Sequence, residues 1–593
     1  MLLSTSTRIN HLSRIRLPSS IIATISTTSS YRSLSTNNPT TTSANTMLTP
    51  PPTPKQPRSN LPGSNNTKPG RTLTLDTIHK SILNVEYAVR GELAIKADKY
   101  TQMLKSQQGE QGEQGGKDSG LGGMESRNGE KGEGKEKDGK DHGDLGERLP
   151  FDKVVTANIG NPQQRGLDQK PITFWRQVIS LLEYPDLLSH PLTPQIYPVD
   201  TIERAKKLYA EIGSVGAYTH SKGVKEIRER VAKFIERRDG FPSDPEHIFL
   251  TAGASAGVSQ WLNVALSPGD GVLVPIPQYP LYTATLAALS CHPVPYQLQE
   301  SSGWSLSQPV LQAAIDSVDR DKTPIKALVV INPGNPTGGC LEEKDMREIV
   351  RMCHDQGLVL MADEVYQTNI YYPETKPFVS FKKVLRTMER EQDGENPITP
   401  GVIELISFHS LSKGVSGECG RRGGYFELVN IDEQVVDQIY KMASISLCPP
   451  VTGQVGVDLL VDPPKPGEPS YAQFEKETNV THQSLLDRSA YMSEKFNALP
   501  GMSCQKAEGA MYLFPSIEMP DKALKEAEKR GKPADVMYAL DLLDATGICA
   551  VAGSGFGQKE GTYHLRVTAL CPGVEEYVGK IEEFHKDFMK RYA

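Results

Sequence analysis

Apolar positions along the chain change period, and the changes mark out the elements. Val224, Ile227, Val231, Phe234 and Ile235 recur three and four residues apart, which predicts a helix with one apolar stripe and a charged back. Beyond it come short, almost uninterrupted apolar runs: Ile248 to Leu250, Val272 to Val274, Ala327 to Ile331, Leu358 to Ala362 and Ile403 to Phe408. Stretches of helical character separate them, one of them Val258 to Leu266. Strands that are apolar on both faces and alternate with helices predict an α/β fold, with a mostly parallel sheet covered on each side. After Pro464 the pattern becomes a long charged helical stretch, Ala472 to Leu499, followed by a mixed segment that closes with a helix. This predicts a second, smaller domain.

Composition alters that picture at two places. Residues 1–75 hold eight Lys or Arg and no acid, and residues 105–147 hold 13 Gly, no aromatic residue, and only Leu121, Met124 and Leu145 as sizeable apolar side chains. Neither stretch can bury enough apolar surface to repay its ordering entropy. The second is expected to be a solvated insert without a catalytic part. Residues 1–36, with Arg8, Arg14, Arg16 and Arg32 among many Ser and Thr, have the Arg-rich, acid-free character of a mitochondrial presequence. Residues 37–75 follow as a Pro-rich linker, and initiation at Met47 would give a cytosolic form lacking most of the import signal.

The remaining 518 residues carry 57 basic and 72 acidic side chains, which makes nucleic acid a poor partner. Eight scattered cysteines without a CxxC pair read as reduced thiols, with no metal site. No run of about 18 apolar residues is present to span a bilayer.

In parallel sheets ligands gather beyond the carboxyl ends of the strands, so the residues following each run are the candidates. Thr251-Ala252-Gly253-Ala254-Ser255 places small residues where a helix start could approach an anion. Tyr279 lies in the Pro-flanked turn after the second run, and Asn335 in Asn332-Pro333-Gly334-Asn335-Pro336 after the third. Asp363 closes the fourth run, with Tyr366 three residues on. The fifth leads to Ser410-Leu411-Ser412-Lys413-Gly414, where a desolvated ammonium would become available as an amine nucleophile. Arg421 or Arg422, set among glycines, could fold back onto the same pocket.

The ordered set resembles the fold-type I aminotransferases that use pyridoxal 5'-phosphate, and within them the alanine aminotransferase group. The likeness is collinear from Asn84-Val85-Glu86-Tyr87-Ala88-Val89-Arg90-Gly91 to Arg566, interrupted by the 105–147 insert. It includes Asn158-Ile159-Gly160, Gly216-Ala217-Tyr218, Asp363-Glu364-Val365-Tyr366, Leu447-Cys448-Pro449-Pro450 and Gly553-Ser554-Gly555-Phe556-Gly557. The last run lacks the spacing and the acid of a dinucleotide fingerprint.

This resemblance implies roles. Lys413 would bind the cofactor aldehyde and carry the proton, Asp363 would pair with the pyridine nitrogen, and Tyr366 and Asn335 would hydrogen-bond the ring oxygen. Tyr279 would stack on the ring. Ala254, Ser255, Ser410, Ser412 and an Arg, with Arg422 preferred over Arg421, would hold the phosphate, together with Tyr218 from the other subunit of a homodimer. Arg566 and Gly160, with Asn335, would take the substrate carboxylate. The implied reaction converts L-alanine and 2-oxoglutarate into pyruvate and L-glutamate by ping-pong exchange. Glutamate:glyoxylate exchange, or a lyase of the same fold, is the alternative. The implied layout is a part-domain and interface arm over 76–190, a large cofactor-binding domain over 191–467 and a C-terminal small domain over 468–593.

Overall fold

The computed structural model describes residues 74–75, 77–86, 91–114, 148–391 and 397–593. The expected presequence and nearly all of the linker lie outside these residues. The described residues fall within one compact unit.

Its centre is a seven-stranded sheet made of β1 (Ile248–Thr251), β2 (Gly271–Ile276), β3 (His292–Gln297), β4 (Ile325–Ile331), β5 (Val359–Asp363), β6 (Leu405–Ser410) and β7 (Gly424–Val429). The spatial order is β1-β7-β6-β5-β4-β2-β3. Pairings are parallel from β6 through β5, β4 and β2 to β3, whereas β7 runs antiparallel to both β1 and β6. Every strand except β7 therefore points the same way, and their carboxyl ends share one edge. This is the mixed, mostly parallel sheet expected from the apolar runs, with β3 and β7 added.

Alternation along the strands explains why both faces had to be apolar. Ala327, Val329 and Met361 join Phe249, Trp261 and Phe408 in the core on one face. Leu328, Val330, Leu360 and Ala362 join Leu273, Val294 and Ile349 on the other. Each fully buried aliphatic side chain contributes on the order of 1.5–3 kcal/mol.

Helix α1 (Glu92–Gln114) packs against the C-terminal part of the chain, α2 (Lys225–Asp239) and α3 (Ala254–Ala265) pack on the sheet, and α4 (Tyr471–Asn497) and α5 (Val574–Tyr592) pack against each other. Helix α3 starts directly after Gly253, earlier than its apolar residues suggest. Helix α1 runs to Gln114, into the segment expected as a solvated insert from residue 105, where several Gln and Glu favour helix. Residues 115–147 are outside the described set.

The described part of the chain before the sheet meets the C-terminal part. Val155–Thr156 pairs in parallel with Ile548–Cys549, and Lys96 Nζ donates to Asp544 Oδ2 at 2.7 Å. The C-terminal part adds an antiparallel three-stranded sheet in which β10 (Leu565–Thr568) lies between β8 (Tyr512–Leu513) and β9 (Val551–Ala552). Among the described residues no helix is long and apolar enough to cross a membrane.

Candidate active site

At the shared carboxyl edge opens a cavity of about 540 Å³. The strand ends bring to it Ala254, Ser255, Tyr279, Asn335, Asp363, Tyr366, Ser410, Ser412, Lys413 and Arg422, with Gly160 from the chain before the sheet. A larger hollow of about 800 Å³ near Arg148 and Lys580 gathers none of these groups.

One end of the cavity is built from hydrogen-bond donors. Register aligns Thr251 and Ser410 on either side of Gly424, so the start of α3 and the turn after β6 lie against each other. A Cβ on Gly424 would sit 3.0 Å from the Ala254 nitrogen. Gly253 precedes the helix at φ 90°, and a Cβ there would lie 2.6 Å from Arg422 Nη2. Glycine is thus required for the guanidinium to reach the helix N-terminus. Arg422 Nη2 donates to Ala252 O at 2.8 Å, and Nη1 to Cys419 O at 3.0 Å and Ser412 Oγ at 3.5 Å. Ser410 Oγ accepts from the Ser412 N–H at 3.1 Å. Arg421 instead donates from Nε to Glu418 Oε2 at 3.0 Å and does not line the cavity. A helix N-terminus, hydroxyls and a guanidinium, with no carboxylate among them, make an anion site.

The opposite requirement holds at Asp363, the one acid among the lining residues. Its Oδ2 accepts from Tyr282 Oη at 2.7 Å and its Oδ1 from the Val365 N–H at 3.4 Å. Burial pushes this carboxyl above its ordinary range, against the pull of Tyr282, Val365 and Lys413. A cation at this position would offset the desolvation.

Lys413 Nζ donates to Gly160 O at 2.9 Å. The phenol of Tyr512 crowds the same glycine, since a Cβ on Gly160 would fall well inside contact distance of the Tyr512 hydroxyl. Tyr512 also faces Tyr366 edge-on at 6.3 Å between centroids. Burial drives the Tyr366 phenol up; Tyr512 is buried as well, yet Lys413 and Arg566 hold its phenol below the ordinary tyrosine value.

Arg566, on β10, is 1% exposed. Its Nη1 donates to Asn335 Oδ1 at 3.1 Å and its Nη2 to Asn158 O, while Nε has no protein partner. Tyr218 is 79% exposed and stands outside the cavity of its own chain. Reading strand ends alone overlooks Tyr282, Tyr512 and Cys419. The first two look like core aromatics in the sequence, and no local signal sets them apart.

Beneath Asp363, Glu364 accepts from the Phe381 N–H at 2.8 Å. Burial pushes its carboxyl up to about 8, although Arg238 opposes the rise. His409 is pushed down to about 3 by burial, reinforced by Arg238. Between the ordinary Glu value and about 8, the folded chain binds the Glu364 proton and the unfolded chain does not, so this group lowers stability as pH rises through that window. Glu364→Gln is expected to remove a slope of up to about 1.4 kcal/mol per pH unit. Urea unfolding of both proteins at pH 5, 6.5 and 8 checks this, and a difference between them that does not grow toward pH 8 contradicts it.

The family described as "Aminotransferase class I and II" matches residues 191–581. The mitochondrial alanine aminotransferase of Saccharomyces cerevisiae is 46% identical over 544 residues, covering 90% of this chain and 84% of that protein. Glutamate–glyoxylate aminotransferase 2 of Arabidopsis thaliana is 45% identical over 527 residues, covering 88% and 98%. Among solved structures, an alanine aminotransferase from Pyrococcus furiosus superposes with a TM-score of 0.57 at 24% identity, covering 86% of this chain and 99% of that one, which bears on the fold alone. With a matched span that holds β1 to β7 and every strand-end residue of the cavity, the chain belongs to the class I and II aminotransferases and has their fold-type I architecture.

Proposed function

We propose that this aminotransferase moves the amino group of L-alanine to 2-oxoglutarate, giving pyruvate and L-glutamate, with pyridoxal 5'-phosphate held in the 540 Å³ cavity. The observation that carries the reading is Lys413, Asp363 and Arg422 on one cavity wall system, with an anion site at one end and a lone buried acid within it. This donor set fits a phosphate joined to a ring bearing a basic nitrogen.

Ala254, Ser255, Ser410, Ser412 and Arg422 would take the phosphate. Asp363 would face the ring nitrogen, Tyr366 and Asn335 the ring oxygen, and Tyr279 the ring face. When bound, the cofactor supplies an electron-accepting ring that makes the α-proton of an amino acid removable. Lys413 would be the amine that holds the aldehyde, and its nitrogen would carry that proton between the α-carbon and the neighbouring carbon. Arg566 orients both substrates through their shared α-carboxylate, with Gly160 and Asn335 beside it. Tyr218 serves the other subunit of a homodimer, which fits its exposure. Residues 191–467 act as the large domain, and 468–593 with the N-terminal part as the small one. We place the enzyme in the mitochondrion, as the name of the yeast relative suggests.

With L-alanine and no keto acid, one equivalent of pyruvate per site is expected, since the amino group stays on the enzyme until an acceptor arrives. No pyruvate in this half-reaction would overturn the proposal. The likeness to the Arabidopsis relative favours glyoxylate as a second acceptor. Competition between glyoxylate and 2-oxoglutarate separates the two readings.

Arg566→Lys is expected to raise KM for L-alanine and 2-oxoglutarate alike, each by about tenfold or more, because a point charge replaces a two-pronged contact. Steady-state kinetics with both substrates checks it. A rise confined to one would assign the carboxylate to another residue.

A further inference from the structure

The run Gly553-Ser554-Gly555-Phe556-Gly557 takes no part in the anion site. It forms a single 3-10 turn, Gly553–Phe556. Two of its glycines are sterically required: a Cβ on Gly553 would lie 2.5 Å from Gln558 Oε1 and 2.7 Å from His564 Cβ, and Gly557 has φ 68° with Ile276 Cδ1 at 2.7 Å from the same position. The turn is fixed at both ends. Ser554 N–H donates to Asp535 Oδ2 at 2.6 Å, and Phe556 O accepts from the Gln278 N–H at 2.8 Å.

What this anchoring achieves is the placement of one ring. Arg566 Cζ lies 4.6 Å from the centroid of Phe556 and 4.2 Å from that of Tyr512. Both rings are 1% exposed. Tyr512 is held by β8, which pairs directly with β10, while Phe556 follows β9 on the other side of β10. The strand bearing Arg566 is thus flanked by the two strands that deliver the rings. Phe556 further belongs to an aromatic cluster with Trp304 and Phe514, against which Tyr279 packs. A guanidinium is planar and weakly hydrated, so aromatic rings hold its orientation in a way water and a single hydrogen bond do not.

We infer that Tyr512 and Phe556 are positioning residues for Arg566, a pair of rings that fixes the plane of the guanidinium so that it meets the α-carboxylate of either substrate. The inference rests on Arg566 as the carboxylate-binding residue. Phe556 acts through the arginine, whereas the Tyr512 hydroxyl also stands against Gly160 beside the Lys413 amine, so for Tyr512 the ring's effect is read from ligand binding.

The test measures binding of succinate, a dicarboxylate that cannot react, to the holoenzyme by calorimetry, alongside KM and kcat. Tyr512→Leu and Phe556→Leu are each expected to weaken succinate roughly tenfold and to raise KM for L-alanine and 2-oxoglutarate by a similar factor, with kcat of the Phe556 variant within about threefold. Tyr512→Phe keeps the ring and is expected to stay within about twofold of wild type in succinate affinity and in both KM values, while the lost hydroxyl is free to change kcat. Thermal unfolding identifies a variant that fails to fold, and Met at the same position then replaces Leu. Wild-type succinate affinity in both ring-deleted proteins overturns the inference, as does a Tyr512→Phe defect equal to that of Tyr512→Leu. Arg566→Lys in the same assays separates the two levels. If it leaves succinate and both KM values unchanged, the assignment of Arg566 itself falls; if it weakens them while the ring deletions do not, only the role of the rings falls.

Discussion

Lys413→Ala is expected to lower the transamination rate by about 10⁴-fold or more, the largest effect of any single substitution in this chain. Lys413 supplies the one amine among the cavity-lining residues, a group that can both bond an aldehyde and shuttle a proton between adjacent carbons. Its loss removes a 2.9 Å hydrogen bond to Gly160 O but no buried packing of consequence, so the variant is expected to fold. Single-turnover pyruvate formation measures the chemistry without product release. Borohydride reduction followed by peptide mapping of the wild-type protein should place the pyridoxyl label on residue 413. A rate within tenfold of wild type, or a label elsewhere, assigns the nucleophile to a different side chain.

Asp363→Asn is expected to cost about 10²- to 10³-fold in the same single-turnover rate, a magnitude typical of removing one preorganised electrostatic partner. The amide preserves volume and can still accept from Tyr282, whose hydroxyl stands 2.7 Å from Oδ2. What it cannot supply is negative charge. The defect should therefore fall on the rate more than on folding, and thermal unfolding close to wild type distinguishes the two. A rate within threefold of wild type would mean that another group compensates the ring nitrogen.

Much of the sheet was readable because buried parallel strands must be apolar on both faces, as β4 and β5 are. Two strands were hidden for opposite reasons. β3 carries Pro293 and Pro295 and is exposed at alternate positions, which an edge strand tolerates and a pattern search rejects. β7 contains Glu427, buried against Lys382 Nζ at 2.6 Å, and a charged residue inside a strand disguises it. The start of α3 carries only small residues and so has no apolar stripe; the positive φ of Gly253 is what marks it.

Site residues at strand ends could be located because topology sends them to one edge. Asp363 and Lys413 were legible for that reason. Arg566 was not, since an alternating strand in a small sheet reads as half-exposed, whereas β10 is covered on both faces. Only the family resemblance pointed to it. Tyr282 and Tyr512 carry no mark at all in the sequence, because their roles depend on contacts to Asp363 and Arg566 from distant parts of the chain.

Asn158 and Gly160 lend their carbonyls to Arg566 and Lys413 respectively, from positions only two apart in the chain. The two cations are therefore sheltered from bulk water by neutral backbone dipoles belonging to one short strap. A shift of that strap would reach both cations together.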